Sequence, residues 1–164
     1  MYVVVTGPPG SGKSTLSRAL ADALGLPLLA KDEIKQQLID EHPVPTVGVS
    51  REVGAAAVRA LLVAARDRGE GVLDSVWVDR SRAVGMLAEL PAVVEVFCRC
   101  DVETMRERYV RRAPARGPGH FDDERPDDEL WPSRSLRPLA GGWPVVEVDT
   151  SGPVDVDEVV ARLR

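Results

Sequence analysis

Nine residues near the start of the chain, Gly7-Pro8-Pro9-Gly10-Ser11-Gly12-Lys13-Ser14-Thr15, fit G-x-x-x-x-G-K-[ST], a loop that binds phosphate. The chemistry follows from the residue types. Glycines at 7, 10 and 12 permit backbone angles and close approaches that a Cβ forbids, so backbone N–H groups can curl around an anion. Pro8, Pro9 and Ser11 complete the cradle. Lys13 brings a mobile point charge for the β- and γ-phosphates of a nucleoside triphosphate. The Ser14 hydroxyl is an oxygen ligand of the kind Mg²⁺ demands, and Thr15 supports the loop or the α-phosphate.

Phosphoryl transfer needs three further things: a metal, a positioned acceptor, and positive charge closing over the γ-phosphate. Asp32 and Asp74 each follow a short apolar run, which puts both carboxylates at the ends of strands. Asp32 can orient an acceptor hydroxyl and take its proton, or hold Mg²⁺ through water; as a first-turn helix residue it also suits the dipole. Asp74 is placed to bind the metal's water shell. Trp77, Arg80 and Arg82 follow it, an aromatic and two cations able to wall an acceptor site. The chain's one basic cluster runs from Arg106 to His120 and includes Arg108, Arg111 and Arg112. With Gly and Pro as hinges, it reads as a lid of about residues 108–126 whose arginines fork onto phosphate. The acidic run from Asp122 to Glu129 is either solvated surface or an attraction for a cationic acceptor.

The elements that must position these groups alternate. Residues 2–6 form a buried β-branched strand ahead of the loop, and Leu16, Ala19, Leu20, Ala23 and Leu24 give the following helix its apolar face. Further strands are expected at 26–30, 72–76, 92–98 and 145–149. Helices are expected at 31–40, from a Ser50 cap to Arg68, from Asp79 or Ser81 to Leu90, from 102 past Tyr109, and at the C-terminus behind an Asp155–Glu158 capping box. Residues 41–48 and 113–126 read as loops, with weak helical character around 127–140. Such alternation implies an α/β fold whose parallel sheet is covered on both faces, with ligands at the carboxyl ends of the strands.

At 164 residues the chain is expected to form one domain over 1–164. A net charge of −5 argues against binding a polyanion by bulk electrostatics, so nucleic acid is not an expected partner. No apolar run approaches the roughly 20 residues that span a bilayer. The first residues enter a strand without a signal-peptide pattern, giving a cytoplasmic expectation. Cys98 and Cys100 are the only cysteines and read as small core hydrophobes.

These motifs together resemble the small P-loop kinases of the nucleoside-monophosphate-kinase-like group, which includes shikimate kinase, gluconate kinase, chloramphenicol phosphotransferase and the kinase domain of polynucleotide kinase. The resemblance is carried by Gly7 to Thr15, Lys31-Asp32-Glu33-Ile34, Val72-Leu73-Asp74-Ser75, Glu107-Arg108 with Arg111 and Arg112, and Val148-Asp149-Thr150-Ser151. It implies a three-layer fold with a five-stranded sheet ordered 2-3-1-4-5, ATP as donor with Mg²⁺, Thr150 near the adenine, Asp32 facing the acceptor hydroxyl, and catalytic work by Lys13, Asp32, Arg108 and Arg112. The acceptor would be a small hydroxylated metabolite, sugar or antibiotic. Lys35-Gln36-Gln37 stands where shikimate kinase carries an acceptor-binding arginine. Two alternatives are a 5′-hydroxyl polynucleotide kinase and a nucleotide-binding ATPase module acting through a protein partner. A GTPase would need an Asn-Lys-x-Asp motif, and the chain has no asparagine.

Overall fold

The strand Tyr2–Thr6 (β1) is buried at every position because it runs down the middle of the sheet. This is a computed structural model, and it describes residues 1–77 and 79–163. After β1 come α1 (Lys13–Leu24), β2 (Leu28–Ala30), α2 (Lys31–Glu41), α3 (Val47–Arg68), β3 (Gly71–Asp74), α4 (Arg80–Leu87), β4 (Val93–Arg99) and α5 (Val102–Arg116). A short α6 (Asp127–Leu130), β5 (Val145–Asp149) and α7 (Val156–Arg162) follow. The five strands are parallel in the order β2-β3-β1-β4-β5.

Side chains alternate across the pleat, so one strand feeds two cores. Tyr2 and Val4 join Leu61, Leu62, Leu73 and Leu87 on the face covered by α3 and α4. Val3 and Val5 join Leu16, Leu20, Val146 and Val159 on the face covered by α1 and α7. A third small cluster, Met105, Tyr109, Leu130 and Trp131, packs α5 against α6. The fully buried Glu95 ties the chain after α6 to the sheet, accepting hydrogen bonds from Thr6, the Leu139 and Ala140 amides and Trp143 Nε1.

Several boundaries differ from expectation. Thr46, not Ser50, caps α3, accepting from the Val49 amide; Ser50 is buried one turn inside. Helix α4 stops at Leu87 rather than Leu90. Helix α5 continues through Pro114 to Arg116, although that stretch reads as a loop. A proline costs a helix one backbone hydrogen bond, and here tertiary ion pairs at Arg116, described below, hold the turn. Of residues 127–140, only Asp127–Leu130 are α-helical.

Candidate active site

The loop between β1 and α1 has the shape its sequence implies. Gly7, Gly10 and Gly12 all take positive φ, at 138°, 79° and 87°. At Gly10 the need for glycine is steric as well, since a Cβ would stand 2.1 Å from the Met105 carbonyl oxygen. Two side chains hold the loop from outside: Trp131 Nε1 donates to the Pro9 carbonyl at 2.9 Å, and Thr150 Oγ1 donates to the Ser11 carbonyl at 2.6 Å. Every described peptide is trans, so the N–H groups of Gly10 and Gly12 point the opposite way, into the cradle. Inside, Lys13 Nζ donates to the Pro8 carbonyl at 2.8 Å, and the buried Ser11 hydroxyl has no partner among the described residues. The Ser14 side chain lies at the exposed start of α1. A cradle of free amides, an unpartnered hydroxyl and a buried ammonium fits a polyphosphate.

The parallel register sets Asp74 level with Val5, just below the loop. Burial drives its carboxyl above the ordinary value; the attraction of Lys13 and a hydrogen bond with Ser14 oppose this without prevailing. Burial likewise drives the Lys13 ammonium down against the pull of Asp74. Ser14 and Asp74 are the oxygen donors that would hold Mg²⁺. Cys98 lies beside Gly7 with its thiol pushed up to about 12 by burial, and so is chemically quiet.

Asp32 sits in the first turn of α2, directly after β2. Its two oxygens accept from different cations, Lys31 Nζ at 3.1 Å and Arg116 Nη2 at 3.0 Å. Burial opposes its charge, but Lys31 and Arg116 outweigh that and hold the carboxyl well below the ordinary range. Arg116 also forks onto Asp122 through Nη1, at 3.0 Å to each oxygen, and donates to His120 Nδ1 at 2.8 Å. That leaves His120 Nε2 to donate to Gln36 Oε1 at 2.9 Å. Burial, with Arg116 and Lys35 nearby, pushes His120 down to about 4, so the ring is neutral.

Helix α5 presents three arginines at four-residue spacing. Arg108 donates to the Thr150 and Ser151 carbonyls at 2.9 and 3.0 Å, on the side of Gly12. Arg112 stacks 5.2 Å over Tyr109, and its charge is felt at Lys13, Asp32 and Asp74. Arg116 holds Asp32. Arg111 is exposed and has no hydrogen bond or ion pair among the described residues, so no contact ties it to the cradle.

A cavity of about 380 Å³ opens beside Asp32, lined by the two residues that hold it, Lys31 and Arg116, and by α3 and α4. Trp77 and Arg82 line it. Trp77 is at the same time part of the core. Arg80 does not line the cavity; its guanidinium donates to the Pro138 carbonyl and so secures the segment before β5. Nor does the acidic run face an acceptor as free charge. Asp122 is taken by Arg116, Asp127 by Arg106, and Glu129 by Arg51 and Arg125.

Sequence reasoning passed over Lys35, Ser50, Trp131 and the ties of Arg116. One signal was present for the first. The chain has only three lysines, at 13, 31 and 35, and all three lie at this site. Lys35 follows Asp32 by three residues, which puts both on one side of α2.

Comparison with known proteins bears on the fold and the family. The sequence model of a family described as AAA domain matches residues 3–130. A crystal structure of a candidate kinase from Chloroflexus aurantiacus superposes with a TM-score of 0.85 at 33% identity, covering 99% of this chain and 95% of that one. An uncharacterized protein of Mycobacterium tuberculosis is 34% identical over 125 residues, 67% of this chain but 25% of its own length, so the chain spans a quarter of that relative. A cytidylate kinase of Ignicoccus hospitalis is 31% identical over 116 residues, 67% of this chain and 63% of its own. Among the described residues no helix is long and apolar enough to cross a membrane.

Proposed function

The chain belongs to the AAA-domain family, and from that premise we propose that it is an ATP-dependent phosphotransferase that places the γ-phosphoryl group on a hydroxyl of a small molecule. One observation carries the reading. The Asp32 carboxylate links the cradle and the cavity: its charge acts on Lys13 and Asp74, and the cations around it, Lys31, Arg112 and Arg116, all line the cavity.

In this reading the Gly10 and Gly12 amides and Lys13 hold the triphosphate, and Arg112 adds positive charge where the transferred group passes. Mg²⁺, held by Ser14 and Asp74, would neutralise charge on the β- and γ-oxygens. Asp32 accepts a hydrogen bond from the acceptor hydroxyl and aims its oxygen at the γ-phosphorus. As the new O–P bond forms, the bond from the γ-phosphorus to the β,γ-bridging oxygen breaks. The hydroxyl proton passes to Asp32, giving a phosphate monoester and ADP. A carboxylate stabilised by two cations is a weak base, so Asp32 acts first by positioning and takes the proton late.

The test is ³¹P NMR of the protein with Mg-ATP and a panel of hydroxylated compounds. A new monoester resonance growing with ADP is expected. Failure of the folded protein to take up ADP or ATP by calorimetry would sink the reading. A second reading, a nucleoside monophosphate acceptor, is favoured by the cytidylate kinase relative and by the basic residues of the cavity. It would yield a phosphoanhydride instead, at a distinct ³¹P shift.

A further inference from the structure

The cavity is far more basic than a neutral alcohol requires. Eight basic residues line it against three carboxylates, in a chain whose overall charge is −5. Those nearest the cradle have a role in phosphoryl transfer. Lys35, Arg51 and Arg125 have none, because they lie beyond Asp32 at the end made by α2, α3 and the chain after α5. One carboxylate, Glu129, serves both Arg51 and Arg125, at 2.6 Å each. Among the described residues Lys35 has no carboxylate partner.

Lys35 is 2% exposed, and its ammonium donates to Ser50 Oγ at 2.7 Å. Arg125 Nη2 donates to the same oxygen at 3.3 Å, and the Ser50 hydroxyl in turn donates to the Gly119 carbonyl at 2.9 Å. Two cations therefore converge on one hydroxyl that has no further capacity. An ammonium has three N–H groups, and burying it without an anion is costly. The usual remedy, a carboxylate on a neighbouring element, is missing at Lys35 among the described residues. From this convergence we propose that the acceptor bears, apart from its reacting hydroxyl, an anionic group, a carboxylate or a phosphate, that seats on Lys35 and Arg125. The inference rests on the alcohol-acceptor reading above. Lys35 is three residues beyond Asp32, about 4.5 Å along the helix axis, so hydroxyl and anion belong to one small molecule. Val58, Ala83, Met86 and Trp77 give it an apolar flank.

The charge on Lys35 is labile, which supplies a second readout. Burial first, then Lys31, Arg125 and Arg116, push its pKa down to about 7, with Asp32 opposing. The groups around it are Lys31 and Asp32 from α2, Ser50 from α3, Arg116 from α5, and His120 and Arg125 from the chain beyond. An arriving anion favours the charged form, so binding takes up a proton near neutral pH and weakens as pH rises.

The experiment uses the full chain with its cradle saturated by a non-hydrolysable Mg-ATP analogue, which also fills the γ-phosphate position, so that anions cannot enter there. Inorganic phosphate and benzoate are titrated by calorimetry into wild type, Lys35→Met and Arg125→Gln. Whichever probe binds identifies the anion class. Binding should weaken about tenfold in each variant, and benzoate, ionised throughout, should bind wild type progressively less well between about pH 6 and 8.5. Equal affinity in all three proteins with no pH dependence overturns the proposal, as does absence of binding by both probes. Should Lys35→Met fail to fold, Arg125→Gln and the wild-type pH series still decide. The probes carry no alcohol, so failure here leaves the phosphotransferase reading standing; conversely, efficient turnover of neutral alcohols sinks this inference alone.

Discussion

Replacing Asp32 with asparagine removes one negative charge and keeps the side chain's size, so it isolates what the carboxylate does. The stability cost can be worked from its partners. The Asp32 side chain is 44% exposed, Lys31 18% and Arg116 20%. Pairs screened to this degree contribute about 0.2–1 kcal/mol each, which gives roughly 0.5–2 kcal/mol for the two. Arg116 keeps both oxygens of Asp122, so it is not stranded. For a chain of this size Tm should fall by roughly 2–6 °C, and the variant stays folded at assay temperature. The activity cost should be much larger. General-base groups contribute about 10²–10⁴ in rate; a carboxylate held so far below its ordinary range is a poor base, which places the expectation near the lower end, about 10² in kcat. KM for ATP should hardly change, because the cradle is untouched.

The sign of the pH effect gives an independent check. The folded pKa of Asp32 is depressed from the ordinary 3.8, so its contribution to stability is fully present above that value. It is lost as pH falls toward the folded pKa. The gap in Tm between wild type and Asp32→Asn should therefore be constant near neutrality and close on acidification below about pH 4. Steady-state kinetics and thermal melts measure both. A variant retaining kcat within about threefold would remove Asp32 from the chemistry; a Tm gap that widens in acid would contradict the ion pairs.

Three further outcomes follow from other parts of the fold. Glu95→Ala leaves the Leu139 and Ala140 amides and Trp143 Nε1 without their acceptor in a fully buried place; at about 1–3 kcal/mol per stranded donor, thermal unfolding should show a loss on the order of 4 kcal/mol, and a loss under about 1 kcal/mol would mean the loop is held otherwise. Trp131→Phe keeps the edge-on packing against Tyr109 but deletes the bond to Pro9; about 1 kcal/mol should appear as a roughly fivefold weaker ADP titration, with an unchanged affinity arguing against support of the cradle from behind. His120 has a folded pKa of about 4 against an ordinary 6.5, so the unfolded chain binds the extra proton between these values and stability should fall as pH drops through that window; His120→Gln should flatten this stretch of the Tm–pH curve, and an unaltered curve would put the dependence elsewhere.

What the sequence revealed and what it hid divide on physical lines. The alternation of strands and helices was legible because β1, β3 and β4 are largely apolar between polar helical stretches, while the sheet order was implied by the family resemblance and is the order observed. The cradle was legible because glycine and lysine are required there at fixed spacing. Local signals failed where distant partners decide the outcome. Pro114 reads as a helix end, yet Arg116 reaches Asp32, Asp122 and His120, and these contacts carry α5 one more turn. Ser50 reads as a cap because it precedes an apolar periodic run; Thr46 takes that place, and Ser50 is drawn inward by Lys35 and Arg125. Arg80 and Arg82 are indistinguishable in sequence, and only packing sends the first to Pro138 and the second to the cavity.

The spacing of the α5 arginines explains why a helix rather than a loop suits them. Positions 108, 112 and 116 recur every four residues, close to one turn, so they share a face and span about 12 Å along the axis. The three serve different groups: Arg108 donates to the Thr150 and Ser151 carbonyls, the charge of Arg112 acts on Lys13, Asp32 and Asp74, and Arg116 holds Asp32 beside the cavity. A loop would have to order each guanidinium separately, at the entropy cost of every residue fixed. A helix fixes all three in one step, buried through Met105 and Tyr109 on its inner side. The same helix therefore carries both Arg108, on the carbonyls of Thr150 and Ser151, and Arg116, on Asp32, and fixes the distance between them.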